Sequence, residues 1–179
     1  MKKVGLIASV VVALACGAGP QKPALNVAVL TNGVWVKLDS AWQPSPRESG
    51  FASVAYARVL RFAPDGRFSW IACVLLRNDA RVTISPGDGQ VFFFGRWEAA
   101  DDHATVEYVK AREMIHVPGS DQPFAIKKIA EAEVVGDTLT FEGLRFTKSF
   151  APNQRAYEEM VNGVRTWEAT NLRRFFPAE

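Results

Sequence analysis

The sequence predicts an all-β fold, an antiparallel up-and-down barrel of roughly eight to ten strands with one short C-terminal helix. Three observations carry that expectation. Short runs rich in Val, Phe and Thr recur along the chain with apolar residues at alternate positions, the period of a strand. The runs are separated by turn chemistry such as Asn32-Gly33, Pro64-Asp65-Gly66 and Gly136-Asp137. A single stretch near the end switches to helical spacing.

Taken in order, Leu25 to Leu30 and Val34 to Leu38 read as β-like runs around Asn32-Gly33, a pair that tolerates positive φ and so marks a hairpin or the lead-in to a first barrel strand. Asp39 to Ser49 holds Pro44 and Pro46 without periodicity and reads as a loop. Ala57 to Ala63 and Arg67 to Leu76 flank Pro64-Asp65-Gly66, where Pro pre-sets φ and Gly reverses the chain. Arg81 to Ser85 and Gln90 to Trp97 flank a second reversal at Pro86 to Gly89. Thr105 to Ala111 follows the turn Asp101-Asp102-His103. Ile129 to Val135, Thr138 to Phe141 and Leu144 to Ser149 are divided by Gly136-Asp137 and Glu142-Gly143. Pro152-Asn153 starts a helix with Tyr157, Met160, Val161 and Val164 on one face, packed on the outside of the sheet, and Gly163 is a candidate end. Val164 to Phe176 fits either a last strand or more helix.

The chain has 179 residues, 48% hydrophobic and 22% charged, which suits one globular domain. Lys2 and Lys3 followed by the uncharged, mostly apolar Val4 to Ala15 predict a signal peptide over residues 1–15, because the apolar stretch is shorter than the ~20 residues that span a bilayer. Residues 16–24 read as a tether and 25–179 as a single barrel domain. The 21 Lys and Arg include Lys2 and Lys3, so the remainder number 19, equal to the 19 Asp and Glu. A neutral domain lacks the clustered positive charge that phosphate neutralisation requires, so no nucleic-acid partner is expected.

Ala13-Leu14-Ala15-Cys16-Gly17 resembles the lipobox of bacterial lipoproteins, although Ala13 stands where that family usually has Leu. The resemblance implies a lipidated Cys16, a membrane partner through the lipid anchor and, with no Asp at position 17, the periplasmic face of the outer membrane. The same Ala-Leu-Ala is a small-x-small site for ordinary signal peptidase, which would leave a soluble periplasmic or secreted protein. Cys73, inside an apolar run, reads as a buried small hydrophobe, with a Cys16 to Cys73 disulfide the alternative if Cys16 is not acylated.

Period-two counting places Phe68, Trp70, Ala72 and Val74 on one face of a strand, Phe92 with Phe94 on one face of another, and Val106 with Tyr108 on one face of a third. In a barrel such a set either fills the interior or lines a cavity for an apolar ligand. Three consecutive phenylalanines, Phe92 to Phe94, put an aromatic on both faces, so at least one sits under the helix, beneath a loop, or exposed. Leu30, Gly33, Trp35, Leu38 and Ser40 resemble the opening of bacterial lipocalin-like (calycin) domains, in which Gly-x-Trp begins the first strand and the Trp plugs the closed end. Gly95-Arg96-Trp97 is similar to the strand chemistry of the same barrels. The resemblance implies a mouth for a small hydrophobic molecule and a basic residue packed on the Trp, with Arg145 among the candidates.

Catalytic chemistry finds no support. His103 and His116, the only histidines, have no zinc spacing, so neither a metal nor any other cofactor is expected. Ser53, Ser69 and Ser85 lack a nucleophile elbow, and Glu158 with Glu159 read as surface charge on the helix. Asp65, Asp88 and Asp137 each adjoin a turn glycine. The expectation is a non-enzymatic, exported carrier whose ligand-binding candidates are Trp35, Phe68, Trp70, Phe92, Phe94 and Tyr108. The alternative is an envelope protein-protein interaction module with a filled core, an inhibitor or assembly factor, using Asp39 to Ser49 or the Phe92 to Phe94 run.

Overall fold

The computed structural model describes residues 24–45, 50–79, 81–85, 91–113 and 124–175. The leader, Cys16, most of the tether, the Pro86 to Gly89 reversal and His116 lie outside them. In chain order the elements are α1 (Val27–Thr31), β1 (Trp35–Leu38), β2 (Gln43–Pro44), β3 (Ser53–Phe62), β4 (Arg67–Arg77) and β5 (Val82–Ile84). There follow β6 (Val91–Ala99), β7 (Ala104–Glu113), β8 (Phe124–Val135), β9 (Thr138–Phe141), β10 (Leu144–Thr147) and α2 (Gln154–Phe175).

Eight of these strands close an antiparallel barrel. β1, β3, β4, β6, β7, β8, β9 and β10 each pair with the next in sequence, and β10 returns to β1 through Val36 and Thr147. The two remaining strands, β2 and β5, add to β3 and β4 outside the closed ring. Directly opposed residues share a face, so the registers sort the side chains. Trp35 lies opposite Leu60, Leu60 opposite Trp70, and Trp70 opposite Phe93. One apolar cluster draws residues from all eight barrel strands, including Trp35, Phe68, Val106, Leu139 and Phe146, and is therefore the interior. A second cluster joins β1, β3, β4, β5 and β6 to α2, including Val36, Val59, Ile71, Phe92 and Met160, and is the outer layer beneath the helix.

At its beginning the chain departs from the sequence reading. Val27–Thr31 is a helix, not a strand: the Asn26 side chain caps it by accepting from the Val29 amide at 3.1 Å, and Leu30 turns into the barrel and is fully buried. Asn32-Gly33 is thus a lead-in to β1. Gly33 has φ 99°, and a Cβ there would lie 1.9 Å from the Tyr157 hydroxyl of α2, so both its backbone and its surroundings require glycine. The expected loop from Asp39 also carries the two-residue strand β2.

The C-terminal helix begins as expected, with Asn153 Oδ1 accepting from the Ala156 amide at 2.9 Å. It is longer than predicted, 22 residues, and Gly163 does not end it. The buried stripe Ala156, Met160, Val161, Val164 runs past the exposed Gly163 to the partly buried Trp167, and that burial outweighs the ~1 kcal/mol that an interior glycine costs. Farther along, Glu168 is buried against the barrel wall, where Arg61 of β3 and Ser69 of β4 both donate to its carboxylate. Burial pushes that carboxyl above the ordinary range, against the opposing pull of Arg61 and Ser69.

Candidate functional site

One end of the barrel is plugged. Trp35, Phe62, Phe68, Phe141 and Phe146 are each at most 1% exposed there. The Phe62 and Phe68 rings lie 5.0 Å apart and the Phe68 and Phe141 rings 5.4 Å apart, both tilted, the separations at which aromatic pairs attract. Trp35 Nε1 donates to the Leu30 carbonyl of α1 at 3.0 Å, which satisfies its polar atom in a dry setting. Lys148, just after β10, stands with its Nζ 4.4 Å from the Trp35 ring centroid and donates to the carbonyls of Val29 and Asn32 at 2.8 and 2.6 Å. This lysine ties α1, β1 and the end of β10 together. Arg145, a candidate for that position from the sequence, is exposed instead.

Toward the other end the interior is less covered. Trp70, Ala72 and Val74 of β4, Phe93 of β6 and Ile126 of β8 continue the inward faces and are only half-buried. Trp70 and Phe93 are in contact, ring centroids 4.6 Å apart. Tyr108 lies between plug and cup, 5.6 Å from both Phe68 and Phe93. Burial, and then the neighbouring Glu142 carboxylate, push the Tyr108 phenol well above its ordinary range, so it stays a neutral hydrogen-bonding group.

Charge enters this face at two places. Lys37 of β1 and Arg58 of β3 are opposite one another, two residues beyond the inward pair Trp35 and Leu60, and Arg58 is opposite Ala72 on its other side. Both therefore belong to the inner face beside the Trp70 strand. They share one carboxylate, Asp39, through a Lys37 ion pair and an Arg58 Nε bond of 2.9 Å. Burial alone would raise Asp39, but the bonds from Lys37 and Arg58 outweigh it and hold the carboxyl below its ordinary range. Across the barrel Lys128 is ion-paired with Glu142, its Nζ 5.5 Å from the Tyr108 ring centroid.

Of the residues expected to bind a ligand, Trp35, Phe68 and Tyr108 lie in or next to the plug and Trp70 lines the cup. Phe92 and Phe94 correct the expectation. They face outward: Phe92 is fully buried with its ring edge-on to Trp167 of α2 at 4.9 Å, and Phe94 packs against the same outer cluster. The inward aromatic of the run is Phe93. Counting back in twos from the buried Trp97 identifies it, whereas counting the phenylalanines alone does not. Lys37 and Arg58 were also missed, although the alternation Arg58-x-Leu60-x-Phe62 puts the arginine on the interior face.

The other reactive groups have structural places. Cys73 is buried under α2 with its thiol pushed up to about 12 by desolvation, so it is an inert thiol, and a disulfide would require that layer to open. His103 bonds Asp102 at 2.8 Å within the β6–β7 turn, and that bond raises its pKa. Asp65 accepts from the Arg67 amide in the turn after β3. Among the described residues no group of three or more His, Cys, Asp or Glu is placed to hold a metal ion, and no helix is long and apolar enough to cross a membrane. Comparison of the sequence with protein-family models and with curated proteins finds no match.

Proposed function

We propose that this protein is a non-catalytic binder of a small apolar molecule, held within the half-covered part of the barrel. The single observation that carries the reading is the division of the interior: a dry aromatic plug at the α1 end, and above it inward Trp70, Phe93, Ala72, Val74 and Ile126 that keep part of their apolar surface accessible. A barrel that served only as a scaffold gains from covering those rings. The lipocalin-like resemblance is supported by Lys148 on Trp35, the basic residue that such barrels pack against the Trp of Gly-x-Trp. In this reading the chain is exported and anchored by acylated Cys16 at the periplasmic face of the outer membrane, and labelling with a radioactive fatty acid in wild type and Cys16→Ser tests the anchor.

Two measurements test the binding. Native mass spectrometry of gently purified protein is expected to show a bound apolar species, and the neutral fluorescent probe N-phenylnaphthylamine is expected to bind saturably and to be weakened by Phe93→Ala. Protein that carries no bound mass and gives no saturable signal refutes the reading. A second reading, an interaction module of the envelope, draws on the outer face of β8, where Ile129 and Val135 are 66% and 69% exposed. The Phe92 to Phe94 run adds little to it, because Phe92 is buried under α2.

A further inference from the structure

We propose that the groove between α2 and β5, on the outer wall of the barrel, is a second binding site and that it takes an acidic oligosaccharide, a short sugar chain bearing carboxylates. This groove is separate from the barrel interior, so the proposal stands independently of the apolar-ligand reading.

The groove has a volume of about 800 Å³ and is open along its length. Arg155, Glu159, Asn162, Gly163 and Trp167 line it from α2, at the three- and four-residue spacings that put them on one helix face. Arg81 and Thr83 line the facing side. From Arg155 to Trp167 the helix face runs ~18 Å, the length of a short chain rather than of a single ring.

Three features select the occupant. Gly163 is exposed in the middle of α2, where glycine costs helix stability, and packing does not demand it: within 4 Å a Cβ there would meet only Thr83 Oγ1, at an ordinary 3.8 Å. A side chain would, however, narrow the groove where α2 and β5 face each other, so the glycine keeps it passable for a chain. The polar lining both donates and accepts. The Asn162 amide and the Thr83 hydroxyl can do either, Glu159 accepts, and Arg155, which bonds Glu159 through Nε at 3.3 Å, has further donors to spare. Sugar hydroxyls, each a donor and an acceptor, match that mixture, whereas an apolar ligand would desolvate these groups without pairing them. Trp167 adds an aromatic surface, half-buried and held nearly at right angles to Phe92 with ring centroids 4.9 Å apart, and among the described residues its indole N–H meets no acceptor. A ring of this kind packs against the C–H face of a sugar while hydroxyls at the sugar's rim reach the polar groups beside it.

Arg81 sets the charge. It is exposed, lies 5.9 Å from the Phe51 ring centroid and meets no carboxylate among the described residues. With Arg155 matched by Glu159, Arg81 leaves the groove a surplus of one positive charge, and its guanidinium fork fits a carboxylate. A polypeptide fits less well: peptide grooves rely on a free sheet edge or on apolar pockets, and the apolar side chains of β5, Val82 and Ile84, are turned into the layer beneath α2.

The test is two-dimensional amide NMR of the purified protein, titrated with tetragalacturonate, with chitotetraose as a neutral sugar chain, and with an end-blocked peptide of four Ala-Glu repeats as a polypeptide of equal charge. Tetragalacturonate is expected to shift the amides of Thr83, Asn162 and Gly163 and the indole N–H of Trp167 saturably, at about a millimolar or below, and to leave the indole signals of Trp35 and Trp70 in place. At low salt it should bind about fivefold or more tightly than chitotetraose, a preference that shrinks in high salt and that Arg81→Gln erases. Gly163→Ala should weaken tetragalacturonate about fivefold or more while raising the urea midpoint, a pairing that a merely structural glycine would not give. Asn162→Ala, a surface change, provides a second variant expected to weaken binding, and circular dichroism checks the fold of each. The proposal is overturned by the absence of saturable shifts with either sugar, by equal affinity for the two sugars at low salt, or by a peptide that binds as tightly as tetragalacturonate. Binding that is unchanged in both Gly163→Ala and Asn162→Ala, or shifts confined to Trp70 and its interior neighbours, overturns it as well. The N-phenylnaphthylamine titration reads the interior separately, so failure at the groove leaves that reading in place.

Discussion

The run Phe92, Phe93, Phe94 offers a direct perturbation of the fold, because its members belong to different layers. Phe92 is fully buried against Trp167, so truncation to alanine opens a cavity that α2 and the wall cannot both collapse into, at about 3–5 kcal/mol. Phe93 touches Trp70 and Tyr108 but keeps part of its ring accessible, so Phe93→Ala removes about half as much burial and costs about 1–2 kcal/mol. With a urea m value of about 2 kcal/mol/M, the midpoint falls by about 2 M for Phe92→Ala and by less than about 1 M for Phe93→Ala. The assay is equilibrium urea unfolding followed by tryptophan fluorescence, paired with N-phenylnaphthylamine titration of the folded variants. Binding should show the reverse ranking, unchanged in Phe92→Ala and reduced severalfold in Phe93→Ala. If Phe93→Ala is the more destabilising of the two, or if Phe92→Ala loses binding while folded, the assignment of inner and outer faces is wrong.

Three further outcomes follow from the local geometry. Lys148→Met removes the cation over Trp35 and the donor to Val29 and Asn32, and should cost about 1–3 kcal/mol with faster amide exchange in α1; exchange confined to other elements would contradict the role given to this lysine. Gly33→Ala should cost about 2 kcal/mol or more, since the left-handed φ of 99° and the Tyr157 hydroxyl both oppose a Cβ, and Tyr157→Leu should recover only the steric part, as thermal unfolding of the single and double variants will show. The Arg67 side chain holds the Asp65 carboxyl below its ordinary value of 3.8, so its contribution is present above that value and lost as pH falls through the lowered one. The ion pair is half exposed, so Asp65→Asn should cost no more than about 1 kcal/mol at pH 7 and less at acid pH, and a difference that grows on acidification would count against the assignment.

Much of the barrel is legible in the sequence because turn chemistry and period-two alternation are local signals. Thr138–Phe141 matches its expected bounds, and Pro64-Asp65-Gly66 reverses the chain between β3 and β4 as its residue types require. The misses have nonlocal causes. Leu25 to Leu30 is as apolar as a strand, and it coils because a barrel end needs a plug, to which Leu30 and the Lys148 bonds commit it. β8 begins at Phe124, five residues before the expected start, because Lys127 and Lys128 interrupt the apolar pattern on a strand whose partner β7 continues beside it. The faces of Phe92 and Phe93 depend on pairing with β4 and on the position of α2, and neither is written in the run itself.

The unequal strand lengths leave the circle of hydrogen bonds incomplete. β8 has 12 residues, but only Ala132 to Val135 meet β9, so among the described residues no strand pairs with Phe124 to Glu131 on that flank. A ring that is closed near one rim and slit toward the other presents what closed sheets normally eliminate, a template for another extended chain. Exposed Lys127 and Glu131 stand along that slit, charged side chains of the kind that blunt an open edge. Solubility at this flank thus depends on side chains that take no part in holding the barrel's interior together.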